Sequence, residues 1–219
     1  MKKIFKQLAI TAIVFSFAVS AKAANLVSNG DFEAGNTGFT TDYIYNSPNL
    51  AVLSGMYTIY NTALSATSPS KIHDHTSGTG NLMYVNGSWE TNKVVWSQTI
   101  NVETNTNYDF SIWSMRLGDI NFGDPYLDFR INNVSLGNLL LTDEHEYEWT
   151  NFSSTWNSRS STQAVLSVYD LTTDICSNDF ALDDIGFNAT SPTPTPEPST
   201  MLLGLLGTGS LIGLRKRNS

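Results

Sequence analysis

Apolar and polar residues alternate through most of the middle of the chain. Because successive side chains of a β-strand point to opposite faces, alternation with a period of two predicts strands that bury one face. The segments with this pattern are residues 56–60, 82–85, 93–102, 108–115, 127–131, 139–141, 148–156, 164–171 and 180–187. No segment between residues 24 and 190 carries apolar residues at helical spacing. Many short strands without interleaved helices predict an all-β fold, an antiparallel β-sandwich of one domain.

The strand at residues 108–115 leaves one large ring outside its apolar face. Tyr108, Phe110 and Ile112 fall on one side and supply a core face, while Trp113 falls on the other. Burying such a ring removes about 150–250 Å² from water, so it needs a covering partner. Two alternatives remain open: a long loop packs over Trp113, or the ring lies on the concave surface of the sandwich and contacts a ligand.

Two further local features follow from the same pattern. A period of two places Val94 on the same inward face as Trp96. Asn132-Asn133 and Gly137 predict the turn of a hairpin that precedes residues 139–141.

The N-terminus has the three parts of a secretory signal peptide. Three lysines lie within the first six residues, residues 8–19 are apolar, and Ala-Lys-Ala at 21–23 is a small-x-small cleavage site. We therefore expect a signal peptide over residues 1–23, handled by the secretion translocon and by signal peptidase. The exported β-sandwich domain then covers residues 24–190.

The C-terminus is built from consecutive parts of distinct composition. They are a Pro/Thr-rich linker over residues 191–198, the motif Pro196-Glu197-Pro198 at its end, an apolar run over residues 201–214 and the basic tip Arg215-Lys216-Arg217. This order resembles the PEP-CTERM sorting signal of exopolysaccharide-producing Gram-negative bacteria. The resemblance implies that exosortase recognises the motif and removes the tail.

In that family the hydrophobic segment, here residues 199–219, forms a helix inserted transiently in the inner membrane. The protein is then expected at the cell surface or in the extracellular matrix. The alternative is an ordinary C-terminal membrane anchor, for which an apolar run of 14 residues is shorter than the usual span of roughly 20.

Removing the two ends makes the exported part strongly acidic. Seven of the 12 Lys+Arg lie in the targeting segments, whereas all 20 Asp+Glu lie between them. Residues 24–198 thus carry five basic and 20 acidic residues and a net charge of −15. Such a charge argues against nucleic acid as a partner. Cys176 is the single cysteine and the three histidines form no zinc motif.

Four fragments of the exported part carry a second resemblance. They are residues 25–33 (NLVSNGDFE), 74–87 (DHTSGTGNLMYVNG), 95–102 (VWSQTINV) and 178–187 (NDFALDDIGF). Their order resembles the galactose-binding-like jelly rolls, which include carbohydrate-binding modules, and especially the version fused to PEP-CTERM tails. The resemblance implies a jelly-roll β-sandwich, and it specifies the fold more closely than the function because one fold hosts many functions.

Many relatives hold a structural calcium ion between the first and last strands. The resemblance places Glu33 and Asp183 at the carboxylate positions, with Asp31 and Asp184 as neighbours. Calcium takes six to eight oxygen ligands, so carboxylates are suitable. Because Asp183 and Asp184 alternate in a strand, at most one faces inward, and we expect Asp183. The alternative is that these acids cap turns or are solvated.

A sugar site needs aromatic faces for stacking and polar groups for the hydroxyls. The aromatic candidates are Trp113, Trp89 and Tyr126, with Arg116 or Arg130 as hydrogen-bond donors near Trp113. Asp74 and His75 in the loop at 73–80 are candidates for a ligand or second cation site. In the alternative, this loop is a turn in which Asp74 satisfies backbone groups.

The sequence contains no nucleophile elbow, phosphate-binding loop or metal-hydrolase motif. We therefore expect a non-catalytic carbohydrate-binding protein. Two alternatives remain: a structural or adhesion protein of the exopolysaccharide matrix that has no sugar site, and a carbohydrate-active enzyme.

Overall fold

The computed structural model describes residues 24–47, 53–62, 71–117, 123–142, 144, 146–173 and 178–190. The predicted signal peptide, linker, sorting motif and hydrophobic tail all lie outside these residues. The ten strands are β1 (Ile44–Tyr45), β2 (Met56–Asn61), β3 (Asn81–Asn86), β4 (Lys93–Asn101), β5 (Asn107–Leu117), β6 (Tyr126–Ile131), β7 (Val134–Leu140), β8 (Trp149–Asn157), β9 (Gln163–Asp170) and β10 (Asp179–Ala189). Within the described ranges we find no α-helix, and no helix there is long and apolar enough to cross a membrane.

The strands form two sheets. The six-stranded sheet has the order β1-β2-β3-β10-β5-β8, and the four-stranded sheet has the order β4-β9-β6-β7. Neighbouring strands are antiparallel, except that β1 pairs with β2 in parallel. β10, the last described strand, lies between β3 and β5 in the middle of the larger sheet. The predicted all-β sandwich is confirmed, with this one parallel pair as the departure.

The core lies between the sheets and combines aliphatic side chains with aromatic rings. Tyr108, Phe110 and Ile112 are buried there, as the alternation of β5 predicts. Phe129 of the four-stranded sheet stacks on Phe152 of β8 with ring centroids 4.2 Å apart. Contacts of this kind hold the two sheets together, since each buried ring removes on the order of 150–250 Å² from water.

Two local predictions are wrong, both because of β-bulges. In β4 the register shifts between Val94 and Trp96, so Val95 is fully buried and Val94 is only partly buried. A bulge inserts one extra residue and reverses the alternation locally. Gly137 lies within β7, beside a second register shift, and not in the turn. The turn itself is Asn132-Asn133, where both residues have positive φ.

The outer face of the six-stranded sheet is covered over only part of its area. A second apolar cluster lies there, made of Tyr60, Ile72, Leu82, Met115, Leu117 and Ala181. The remaining part of this face, around the middle of β5 and β10, stays open to solvent and forms the site described next.

Candidate functional site

The site is organised by a bulge in β10. The pairing of β10 with β5 shifts register between Asp183 and Gly186, and Asp184 has φ of 46°. The bulge directs consecutive carboxylates to different partners. Asp183 is fully buried beneath the loop at 73–80, whereas Asp184 is partly exposed beside it. Asp183 is therefore the buried acid of the two, and the loop covers it on the outer face of the sheet.

Asp183 and Asp74 form a buried pair of carboxyl groups. Asp183 accepts hydrogen bonds from the backbone N–H groups of His75 and Asp184, both at 2.8 Å. Asp74 accepts from the backbone N–H of Ser77 at 2.6 Å and from its hydroxyl at 2.7 Å. Both acids are 1% exposed or less.

Burial and the contact between the two carboxyl groups favour one bound proton on the pair. Burial raises the pKa of Asp183 to about 9, and the hydrogen bond with Asp74 adds to the increase. Burial also opposes ionisation of Asp74, but hydrogen bonds from Asp183 and Ser77 outweigh it and lower the pKa of Asp74 to about 2. Two like charges in contact are unfavourable, so one carboxyl keeps its proton at neutral pH.

Glu33 brings a third carboxylate close to this pair. Its Oε1 accepts a hydrogen bond from the backbone N–H of Asn81 at 2.6 Å. A Cβ built on Gly80 would collide with Glu33 Oε1 and would lie 3.1 Å from Asp74 Cγ. Glycine at this position therefore leaves the space in which the Glu33 and Asp74 carboxylates lie close to the backbone of Gly80.

The four predicted calcium ligands are divided between two places. Asp183 contacts Asp74 and Glu33 lies near Asp74 at Gly80, whereas Asp31 and Asp184 line a groove on the outer face of the sheet. Among the residues that the structure describes, no group of three or more His, Cys, Asp or Glu side chains has an arrangement that could hold a metal ion. The oxygen-only donor set of Asp74, Asp183 and Glu33 is of the type that calcium uses.

Trp113 is covered on one face by the loop. The His75 ring stacks on it with centroids 4.0 Å apart and planes 21° apart, and the Trp149 ring meets the edge of His75 at 5.6 Å. His75 is held in turn by Asp184, whose Oδ2 lies 2.5 Å from His75 Nδ1. A loop residue therefore packs on the ring, as the first alternative described, and the ring also borders the groove. Contact of Trp113 with a ligand stays a prediction.

The groove beside Trp113 has a volume of 680 Å³. Its polar lining consists of Asn25, Asn29, Asp31, Ser111, Asp184 and Asn188. Gly186 leaves its floor open, because a Cβ there would lie 2.8 Å from Ser111 Oγ and 3.5 Å from Asn188 Nδ2. One aromatic ring surrounded by amide, hydroxyl and carboxylate groups is a suitable environment for a hydroxyl-rich ligand.

Most of the residues that line the groove were not predicted from the sequence. Asn25 precedes β1 by many residues, yet its side chain accepts from Phe187 N–H at 2.9 Å and donates to Ile185 O at 2.9 Å. These bonds tie the N-terminal segment to β10 and form one wall of the groove. The resemblance to a fold in which the first and last segments meet was the one available signal.

The other predicted ligand residues lie elsewhere. Trp89 is 60% exposed in the loop between β3 and β4. Tyr126 lies on the outer face of the four-stranded sheet, where Arg130 is stacked over Tyr169 at 4.0 Å. Arg116 is fully buried, and its Nε lies 3.2 Å from Asp124 Oδ1. Neither predicted arginine lines the groove, so asparagine side chains replace them as donors beside Trp113.

The loop at 73–80 also forms a turn in which Asp74 satisfies backbone groups, which was the alternative to a ligand site at Asp74 and His75. Asp74 accepts from Thr76 N–H at 3.3 Å and from Ser77, and the carbonyl of Asp74 accepts from Gly78 N–H at 3.0 Å. Asp74 therefore satisfies backbone groups while it also contacts Asp183.

Comparisons with known proteins agree with both sequence resemblances. Residues 194–217 match the PEP-CTERM protein-sorting motif, which confirms the predicted sorting motif. No curated protein matches the chain. TmCBM61, solved in complex with β-1,4-galactotriose, is 13% identical over 77% of this chain and 100% of its own, with a TM-score of 0.50.

Two other solved structures are similar at lower TM-score. The CBM22-1 xylan-binding domain of Paenibacillus barcinonensis Xyn10C is 15% identical over 80% of this chain and 100% of its own, with a TM-score of 0.48. The C-terminal domain of EclA, described as a sugar-binding protein, is 18% identical over 43% of this chain and 66% of its own, with a TM-score of 0.39. The likeness to TmCBM61, at 13% identity and a TM-score of 0.50, concerns the β-sandwich fold alone.

Proposed function

We propose that this chain is an exported polysaccharide-binding protein that holds its ligand in the Trp113 groove and does not cleave it. The observation that carries the proposal is the groove itself, in which one braced tryptophan lies among asparagine, serine and aspartate side chains. Sugar rings have flat C–H faces that stack on aromatic rings and hydroxyls that need both donors and acceptors. Trp113 supplies the stacking face, and the polar lining supplies both kinds of hydrogen-bonding group.

The bracing of Trp113 matters for affinity. A ring that is already held in place by His75 loses little side-chain freedom when a ligand binds. TmCBM61, which shares the fold, was solved with a β-1,4-linked galactose trimer, and this supports a glycan as the class of ligand.

A structural calcium ion is part of the proposal. Asp74, Asp183 and Glu33 would supply its carboxylate ligands, with Asp31 and Asp184 outside the ligand set. The three ligand side chains would have to move closer together, because no three such groups of the described residues are arranged to hold an ion. A divalent cation would replace the shared proton and allow Asp74 and Asp183 to be charged together. The role of the ion would be to hold the loop at 73–80 against β10.

The tail gives the proposed destination. The PEP-CTERM motif at 194–217 supports export, recognition by exosortase and transient insertion in the inner membrane of a Gram-negative bacterium. The processed protein would then reside at the cell surface or in the extracellular matrix. Signal peptidase and the secretion translocon act on the other end.

Glycan binding can be tested with residues 24–190, which include every described strand. On a glycan array we expect at least one polysaccharide to be retained. Trp113→Ala and Gly186→Val should each weaken that binding by about ten-fold or more, because they remove the stacking face and fill the floor. Thr99→Val, an exposed position on the opposite sheet, is the control.

The rival functions give different results. If no glycan is retained by the unaltered protein, the sugar-binding proposal is wrong and a structural or adhesion role is favoured. If the bound polysaccharide is shortened and new reducing ends appear, the protein is an enzyme. If Gly186→Val leaves the glycan affinity unchanged, the glycan does not bind in the groove.

A further inference from the structure

The groove continues into a row of polar side chains along β5 and β8. The outward-facing polar residues of these strands are Asn107, Asp109, Ser111, Asn151, Ser153, Thr155 and Asn157, and we call this set the polar strip. The outward-facing Trp113, Met115, Leu117 and Trp149 lie towards the other end of the two strands. No residue of the polar strip is apolar, and all except Ser111 are exposed. A sheet face of this composition has no apolar area to bury against another protein.

The strand register makes the strip continuous with the groove. Trp113 pairs with Asn151, Ser111 pairs with Ser153, and Asp109 pairs with Thr155. On its other side Asp109 pairs with Asn188, which lines the groove. A second recess of 490 Å³, lined by Asp109 and residues 153–155, lies on this strip. The two recesses are therefore parts of one surface.

Cross-strand hydrogen bonds hold the strip in place. The Thr155 hydroxyl donates to Asp109 Oδ1 at 2.7 Å, and the Asn157 amide donates to Asn107 Oδ1 at 2.6 Å. Such pairs order the side chains before a ligand arrives, so less freedom is lost on binding.

The length of the surface indicates the size of the ligand. Trp113 lies six positions after Asn107 along β5, and this corresponds to about 20 Å at roughly 3.4 Å per residue. This distance accommodates several sugar rings in line and exceeds what one sugar needs.

The charge of the surface restricts the ligand further. Asp31, Asp184 and Asp109 line the two recesses, and neither lining includes a lysine or arginine. An acidic polysaccharide would meet like charges along this surface and would lack a cationic partner. An uncharged chain meets only hydrogen-bonding groups.

We propose that the groove and the polar strip form one site for a linear, uncharged glycan chain that runs along β5. Trp113 stacks on a sugar at one end, and the hydroxyl and amide groups of the strip bind the following units. This proposal rests on the proposed function and specifies its ligand.

The first test measures how affinity depends on chain length. The probes are β-1,4-linked galacto-, xylo- and gluco-oligosaccharides of two to six units, titrated against the exported protein by calorimetry. For the best series, affinity should rise by about ten-fold or more from two to six units. Ser153→Ala combined with Thr155→Val should remove most of this gain and change disaccharide affinity by less than about two-fold. Thr99→Val is the matched control on the other sheet.

The second test measures charge. The same galacto-oligosaccharides, with their primary alcohols oxidised to carboxylates, should bind about ten-fold more weakly at low salt. Asp109→Asn should recover part of the loss, because it removes one like charge beside the chain.

The outcomes separate this proposal from the one it rests on. If no probe binds, both are wrong. If binding occurs in the groove but is independent of chain length, or the double variant keeps the full gain, the site is confined to the groove. Equal affinity for the oxidised and unoxidised chains would contradict the inferred charge selectivity.

Discussion

Replacing Asp183 by asparagine tests the shared proton directly. The change keeps the size of the side chain and supplies an amide that can donate to Asp74, as the protonated acid does. It removes the one ionisation that burial opposes most strongly at this site. The expected consequence is a different dependence of folding stability on pH.

The magnitude follows from the raised pKa. An unfolded aspartate releases its proton near pH 4, whereas in the folded state burial raises the pKa of Asp183 to about 9. Between these values the folded state binds more protons than the unfolded state, so stability falls as pH rises. The slope is about 1.4 kcal/mol per pH unit, or about 4 kcal/mol between pH 5 and pH 8.

An asparagine at position 183 has no ionisable group, so the variant should not show this fall in folding stability between pH 5 and pH 8. Asp170 and Asp179 also have pKa values raised by burial, to about 7 and about 6, and they contribute to the pH dependence of both proteins. The difference between the two stability curves therefore isolates Asp183. Any constant offset, such as the lost backbone acceptor, is the same at every pH.

The assay is urea unfolding followed by tryptophan fluorescence, from pH 5 to pH 8 in the presence of a chelator. We expect the variant to gain at least about 2 kcal/mol relative to the unaltered protein across this range. Asp109→Asn, which removes an exposed carboxylate from β5, controls for the change in net charge. A difference that stays constant with pH would refute the shared proton.

The effect of calcium on folding stability is a second test of the Asp74–Asp183 pair. If calcium replaces the proton, it should stabilise the unaltered protein by about 2.7 kcal/mol at 100 times its Kd and leave Asp183→Asn unaffected. Melting curves that coincide in calcium and in chelator, starting from metal-free protein, would remove calcium from the proposal.

Three further predictions concern the fold and its processing. Gly30→Ala should destabilise the domain by at least about 1–3 kcal/mol in urea unfolding, because its Cβ would collide with the carbonyl oxygen of Ile185, which is backbone and has little room to move; an unchanged midpoint would contradict this packing. Phe129→Ala should cost about 3–5 kcal/mol by the same measurement, since it removes a fully buried ring that stacks on β8; a loss below 1 kcal/mol, roughly the value for an exposed site, would be inconsistent with a core position. Mass spectrometry of the secreted protein should find a start at Ala24 and an end near Pro196, and recovery of the intact tail would exclude exosortase processing.

The strands could be predicted because burial imposes a strong pattern on them. In β5 and β6, apolar side chains alternate with polar ones, and every apolar position of the inward face is buried. The period of two is a property of the backbone itself, so it can be recognised without any knowledge of tertiary contacts.

The bulges could not be predicted in this way. In β4, both Val94 and Val95 are apolar, so either register buries a valine and the sequence does not distinguish them. In β10, the extra residue lies at Asp184, and an aspartate tolerates the positive φ without being a specific signal for it. A bulge depends on the partner strand, which alternation within one strand does not describe.

The site depends on contacts between residues that are distant in the sequence. The resemblance supplied Glu33 and Asp183 but not the direct contact of Asp183 with Asp74. It also gave no reason to place His75 on Trp113. Both contacts require the loop at 73–80 to fold over β5 and β10, which is an outcome of tertiary packing.

The bulge in β10 connects the carboxyl pair to the groove. Asp183 accepts from the backbone of His75, Asp184 binds the His75 ring, and that ring braces Trp113. Whatever neutralises the pair, a proton or a calcium ion, holds the same loop against the same tryptophan. A glycan that stacks on Trp113 gains from this order, and binding equilibria that share an ordered element are coupled reciprocally. The cation and the glycan should therefore strengthen each other's binding by the same factor.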